Sequence, residues 1–380
     1  MTGKYNIKTL FSRIAKTVIP CSLVFLTVAG CAEKANRAVL MFAGDLMISY
    51  DMATAVADGS YDYMYSLDYV SRIFGQSDFA VANLETLISP SMPYRWEELS
   101  VITPQGSMPN CNSAPEYLEM VRKSGLDAVV TANNHCLDGG IVGITETIDN
   151  VREYGLLHTG TFKDADESRY IIVDINGIKI ALHSYVTGSL NSMSELYTDE
   201  EMAIYINRYL KSAVKRDIKE SKSRGAEYTV VFMHWGLQNS TELNEARLER
   251  AQYIADMGAD YIVGAHPHVI NAYDRITASD GRVVPCVYSM GNFLSGMDQV
   301  PNSMNRDTLI WRLEIEKRSD GVVISDESYI PCFILDEYEG KKYIVMPCGE
   351  EYGGIHSEET VKSRERITAT LGGEIPEWAA

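Results

Sequence analysis

Five runs of strand-forming apolar residues in this chain each end in a short polar cluster, and that pairing restricts the possible folds more than any other feature. Ala38–Ala43 leads to Gly44-Asp45, Phe79–Ala82 to Asn83-Leu84-Glu85, and Asp127–Ala132 to Asn133-Asn134-His135. Tyr228–Met233 leads to His234-Trp235-Gly236, and Asp260–Val263 to Gly264-Ala265-His266-Pro267-His268. Strands that read as continuous apolar runs are buried on both faces, as in parallel sheets covered by helices. Ligands of such sheets bind in the crevice outside the carboxyl ends of the strands. Four of the seven histidines fall in these clusters, a bias that scattered core histidines would not show. The clusters therefore read as one site, with the donors of metal-assisted chemistry.

The first thirty residues stand apart from this pattern. Lys4, Lys8, Arg13 and Lys16 precede the apolar stretch Thr17–Val28, and Val28-Ala29-Gly30-Cys31 follows. So short a stretch suits a signal peptide better than a membrane span. Its last four residues resemble a bacterial lipobox, which implies cleavage before Cys31, lipid on its sulfur, and a body tethered outside the cytoplasmic membrane through residues 31–37. The alternative is an ordinary signal peptide with an incidental cysteine. The whole chain has 34 basic and 52 acidic residues, and four of the basic ones precede Cys31, which leaves the remainder at −22. A body this acidic excludes broad-surface binding of nucleic acid. Beyond Cys21 and Cys31 there are Cys111, Cys136, Cys286, Cys332 and Cys348. An extracytoplasmic compartment permits disulfides, and Cys332 with Cys348, which flank an expected hairpin, is the first pair to test. No spacing resembles a zinc knuckle.

Apolar residues at three- and four-residue spacing predict helices over Glu116–Ser124, Ile141–Tyr154, Ala203–Ser223 and Thr241–Met257. In the last of these, Ala246, Leu248, Ala251, Ile254 and Ala255 are expected to face inward, with Gly258 as the stop. Ser89–Ser113 and Thr187–Asp199 read as long irregular loops, the second as a mobile cover over the site. Beyond Asn292, Leu309–Lys317, Val322–Ser325, Tyr329–Leu335 and Lys342–Met346 read as an antiparallel meander turning at Asp320-Gly321 and Glu339-Gly340. The charged tail after Glu350 is expected to be loosely held.

His-Pro-His after a buried strand is the sharpest local signal, because proline fixes φ and stiffens a turn that can aim both imidazoles at one point. Such a pair suits a borderline divalent ion, manganese, iron or zinc; two turn histidines capping carbonyls are the plainer alternative. His234 could equally be a satisfied core residue, Asp45 a cap, and Glu85 a surface acid. In Asn133-Asn134-His135, a histidine held off the metal can protonate a leaving group or donate to an oxyanion. Asp138 could orient it, or could cap the helix beginning near Ile141.

Taken in order, Gly44-Asp45, Val81-Ala82-Asn83-Leu84-Glu85, Ala132-Asn133-Asn134-His135-x-x-Asp138-x-Gly140, His234-Trp235-Gly236, Gly258-Ala259-Asp260, Gly264-x-His266-Pro267-His268 and Tyr288-Ser289-x-Gly291-Asn292-Phe293 resemble the CapA family of bacterial capsule and poly-γ-glutamate synthesis proteins. The resemblance runs from about Leu40 to Leu294. It implies an α/β fold of the calcineurin-like metallophosphatase type, a four-layer α/β/β/α sandwich over 38–300, which the meander of 301–350 completes. It carries over Asp45, Glu85, Asn134, His234, His266 and His268 as metal ligands for one or two divalent ions, and His135 with Asp138 as catalytic residues. Asn83, Trp235, Ser289 and Asn292 become contacts to substrate or to the loop that closes the site.

Two departures from the wider pattern stand out. Leu46-Met47 follows Asp45 where the superfamily has Asp-x-His, so one ligand of the first metal is missing. Gln238 and Asn239 stand where many relatives have an acid and an aromatic. Two classes of function remain: a surface-tethered hydrolase of phosphoester or amide-type bonds, and a metal-stabilised scaffold working with other capsule-synthesis membrane proteins on the polymer. Binding of a polyanion requires the basic runs Lys211–Arg216 and Lys222–Arg224 to face the cleft.

Overall fold

The computed structural model describes residues 36–92, 111–188, 190–373 and 375–379. The apolar leader, Cys31 and most of the Ser89–Ser113 loop lie outside the described residues.

The strands, in chain order, are β1 (Arg37–Leu46), β2 (Phe79–Leu84), β3 (Ala128–Val130), β4 (Leu157–Thr159), β5 (Ile171–Ile175), β6 (Ile178–Val186) and β7 (Tyr228–His234). They continue with β8 (Tyr261–Ala265), β9 (Tyr273–Thr277), β10 (Val283–Val287), β11 (Asn292–Leu294), β12 (Asp307–Arg318), β13 (Gly321–Tyr338) and β14 (Lys341–Pro347). One sheet has the order β14-β13-β12-β1-β2-β3-β4, with β11 also paired to β1, and the second has the order β5-β6-β7-β8-β10-β9. All five apolar runs of the sequence form strands, and their mutual pairings (β1 with β2, β2 with β3, β7 with β8) are parallel. Their polar clusters therefore emerge on the same side of the molecule.

The two sheets pack face to face. Leu40, Phe42, Val81 and Trp311 of the first interdigitate with Val230, Phe232, Tyr261 and Val263 of the second in one buried cluster. The opposite face of the first sheet is covered by α1 (Tyr50–Ala57), α2 (Asp68–Phe74) and α3 (Glu116–Lys123). After α4 (Gly140–Glu153) and α5 (Asp199–Tyr205), the outer face of the second sheet is covered by α6 (Lys211–Ser223) and α7 (Glu245–Asp256). The layers are α/β/β/α, the sandwich expected. The meander extends the first sheet through the antiparallel β1–β12 pairing.

Four sequence expectations need correction. The helix expected over Ala203–Ser223 breaks between α5 and α6, because Asn207 N donates to Gly160 O and Tyr209 N to Val186 O, which ties that stretch to the sheet. In α7, Ala246 and Leu248 face solvent, and the inward face is Arg247, Ala251, Ile254 and Ala255. The Arg247 guanidinium is buried because Asn271 Oδ1, at 2.7 Å, and the Glu242 carbonyl accept from it. The tail is not loose: α8 (Glu358–Leu371) opens on a Ser357–Thr360 capping box, and Ile367 and Leu371 join the core between the sheets. Arg366 fixes it, donating twice to the buried carboxylate of Asp307 at 2.7 and 2.5 Å. Finally, all five cysteines of the body, Cys332 and Cys348 included, are buried free thiols.

Candidate metal centre

Asp45 lies near the end of β1, with Asn83 of β2 and Asn292 of β11 as its parallel neighbours. Gly44 makes the second pairing possible, since a Cβ there would lie 2.0 Å from Gly291 O. Asn83 Nδ2 donates to Asp45 Oδ1 at 2.7 Å and to Glu85 Oε2 at 3.3 Å, which holds two buried carboxylates side by side. From the second sheet, His234 Nε2 lies 2.6 Å from Asn134 Oδ1 and 3.3 Å from Glu85 Oε1. The His-Pro-His turn brings His268 Nδ1 to 3.4 Å from Asp45 Oδ2 and His268 Nε2 to 3.8 Å from Glu85 Oε1. The His266 ring stands 4.6 Å, centroid to centroid, from that of His234. The six residues carried over as ligands thus meet in one place.

Both histidines of the turn have positive φ, 96° at His266 and 56° at His268. Such backbone costs on the order of 1–3 kcal/mol per residue and persists where the surroundings enforce it. Here they do so through Asn239 and Asn305: Asn239 N donates to Pro267 O at 2.8 Å, and Asn305 Nδ2 donates to His268 O and to Asn239 Oδ1, both at 2.9 Å. Asn239, which departs from the pattern of relatives, is therefore a brace for the turn. The other departure is equally plain. Met47, which stands in the position of that histidine, is buried and offers a thioether where the pattern has an imidazole.

The donor set fits a divalent cation on a specific observation: among the described residues, Glu85 Oε1, His266 Nδ1 and His268 Nε2 are buried atoms with no hydrogen-bond partner. Buried polar atoms are rarely left so, and an ion is one of the things that satisfies them. Glu85 belongs to two donor groups, one with His234 and His266 and the other with Asp45 and His268, each with its atoms within 4.8 Å of one another. Electrostatics divide the histidines: burial opposes charge on His268, but Glu85 and Asp45 outweigh it and hold that ring above its ordinary pKa. Burial pushes His234 down to about 3 and His266 well below its ordinary pKa, so both rings are neutral lone-pair donors. Burial, then the adjacent Asp45, pushes Glu85 up to about 8.

Beside this cluster stands His135. Its Nδ1 donates to Asp138 Oδ2 at 2.7 Å, and Asn191 Nδ2 donates to Asp138 Oδ1 at 2.7 Å. Asp138 does not cap α4, whose N-terminal cap is Gly139. Burial opposes charge on the ring, yet Cys111 and Asp138 outweigh it and hold His135 well above its ordinary pKa. Asn191 and Cys111 were not singled out for this site by the sequence; both come from segments without periodicity, and the hint was only that the Thr187–Asp199 loop covers the site. Of the remaining residues, Asn292 Oδ1 accepts from His268 Nδ1 at 3.0 Å while its own Nδ2 donates to Asn305 O. Ser289 Oγ donates to Val269 O and accepts from Gly291 N, within the closing loop. Trp235 is buried in the core, stacked on Tyr288, and its Nε1 donates to Tyr288 O, so of the two roles expected it has the contact to the closing segment and no face for substrate.

The basic runs do not reach this centre. Lys211, Lys215 and Lys222 are exposed, and Arg216 and Arg224 line a separate cavity of about 730 Å³, where Asp217 and Glu220 pair with them.

A sandwich with a carboxylate, amide and imidazole cluster at the carboxyl ends of its strands defines a metallophosphoesterase-like protein. Residues 39–297 match the family described as bacterial capsule synthesis protein PGA_cap, and the chain belongs to that family. It is 25% identical over 289 residues to the PGA biosynthesis protein CapA of Bacillus subtilis (strain 168), covering 74% of this chain and 68% of that one. It is also 25% identical over 275 residues to the capsule biosynthesis protein CapA of Bacillus anthracis, covering 70% of this chain and 62% of that one. Among solved structures it is similar to the calcineurin-like phosphoesterase YfkN from Bacillus subtilis, with a TM-score of 0.46 and 14% identity, covering 88% and 97% of the two chains. That likeness adds nothing to the reading of the site.

Proposed function

We propose that this chain is an extracytoplasmic, lipid-tethered, metal-dependent hydrolase acting in capsule or poly-γ-glutamate synthesis. The observation that carries the hydrolytic reading is His135. It is oriented on Nδ1 by Asp138, biased toward the protonated form, and absent from the group with unsatisfied donor atoms. A general acid needs a ring held and biased in this way.

Asp45, Glu85, Asn134, His234, His266 and His268 would hold the ion, which when bound acidifies water and polarises the scissile group. Asn83 keeps the two carboxylates adjacent and Asn292 fixes the ring of His268. His135, with Nδ1 committed to Asp138, offers the proton on Nε2 to the leaving atom of a phosphoester or amide-type bond, and the neutral ring then recovers a proton from solvent. The competing reading, a metal-stabilised scaffold without hydrolysis, draws on Met47 standing where the superfamily has a further ligand.

The test is His135→Asn, assayed on a panel of phosphoesters and γ-glutamyl amides. Turnover is expected to fall by roughly 10²- to 10⁴-fold with metal content and fold intact. In capsule-forming cells polymer output should fall in step. Normal capsule in that strain, alongside none in a His266→Ala strain, would establish the scaffold instead. The tether is tested separately: Cys31→Ser should release the body into the medium, and a variant that fractionates with membranes as firmly as the parent would contradict it.

A further inference from the structure

We propose that Cys111, His135 and Asp138 form a second, softer metal site beside the main centre, which takes zinc or a related thiophilic divalent ion and thereby removes His135 from proton transfer. A sulfur, an imidazole nitrogen and a carboxylate oxygen from these residues lie within 4.8 Å of one another, and all three side chains are buried. The convergence is built by the fold. Cys111 N donates to Asp138 Oδ2 at 3.2 Å, the same oxygen that takes the His135 Nδ1 proton, and Asn191 holds the other carboxylate oxygen. The Cys111 sulfur thus lies beside the His135 ring.

Donor chemistry separates this group from its neighbour. The main cluster offers only oxygen and nitrogen, which suit several borderline ions, whereas thiolate favours zinc and softer metals. Zinc accepts each of these three donor types, and three protein ligands leave a fourth position for solvent. Binding would displace the thiol proton and the imidazolium proton, releasing two protons to water while the sulfur and nitrogen lone pairs go to the ion. The thiol is unreactive otherwise, since burial pushes the Cys111 pKa up. The site adjoins the main centre closely enough that charge on His135 bears on Glu85, His234, His266 and His268.

The test is a titration of metal-stripped protein with Co²⁺ alone, followed by absorbance. Cobalt on nitrogen and oxygen ligands gives only weak bands, whereas cobalt on Cys111 gives an intense thiolate-to-metal charge-transfer band in the near ultraviolet. The parent is expected to develop that band, Cys111→Ser to lack it while keeping the main-centre ion, and His266→Ala/His268→Ala to retain it. A parent without the band at saturating cobalt, or a Cys111→Ser protein that still shows it, would overturn the proposal. The parent spectrum decides the first point even if a variant misfolds, and it does not depend on hydrolysis. The inhibitory half rests on the hydrolase reading: zinc beyond the main-centre ion should lower turnover by about 10²-fold in the parent, the usual worth of a general acid. A parent that shows the band yet keeps its turnover under excess zinc would overturn that half alone.

Discussion

The two halves of the strand-end cluster are built from similar residues but stand in opposite states. On one side, Glu85, His266 and His268 each carry a buried atom without a partner. On the other, His135, Asp138 and Asn191 form a closed set in which each polar group already has a role. Leaving a buried donor or acceptor unpaired costs on the order of 1–3 kcal/mol, so the first half gains from something to bind. The second half is organised without it. An ion-holding half and a proton-handling half are what hydrolysis assisted by a metal needs, and their separation makes each breakable without the other.

Asp138→Asn should break the second half most severely after His135→Asn itself. The imidazole loses the carboxylate that fixes its tautomer and its charge, and turnover should fall by roughly 10²-fold or more with metal content unchanged. A rate within twofold of the parent would show that the pair is structural. Asn191→Ala removes one hydrogen bond to that carboxylate and should cost about 10-fold in turnover. It should leave KM for small phosphoesters nearly unchanged; a rise in KM with turnover kept would make Asn191 a substrate contact.

The smallest effect sharpens the contrast with ordinary buried histidines. Burial pushes His158 and His183 down to about 3. A ring whose folded pKa lies below its unfolded value takes up its proton only on unfolding. Its contribution is therefore intact above the unfolded pKa of about 6.5 and is lost as pH falls toward 3. Near pH 5 this amounts to about 2 kcal/mol for each ring. Urea midpoints measured from neutral pH to pH 5 should fall in the parent and fall less in His183→Gln. An unchanged slope in that variant would show that His183 does not govern the acid limb.

Much of this architecture was legible in the sequence because buried parallel strands leave a one-dimensional trace. Tyr228–Met233 carries no charge and only the β-branched Thr229 among its apolar residues, and the cluster after it had to sit at a strand end. The ligand half was visible for the same reason, as each member lies in the last residues of a strand or in the loop just after it. What could not be read is what tertiary contact decides. Asn191 meets His135 across 56 positions of sequence through a loop with no period. Cys111 arrives through a hydrogen bond of its backbone to Asp138, which no side-chain pattern announces. Arg247 is buried because Asn271 and a carbonyl receive it, and charge alone hid α8, whose Ser357 cap and Ile367 and Leu371 anchors lie among glutamates and arginines.

The division into two halves is tested most directly by metal analysis of purified variants. His266→Ala/His268→Ala should lose its bound ion, with affinity lowered by at least about 10- to 100-fold, the cost known for weaker supporting contacts. His135→Asn and the core control His183→Ala should keep theirs. Parent-level metal at the main centre in the double variant, or loss of the main-centre ion from a folded His135→Asn protein, would contradict the account.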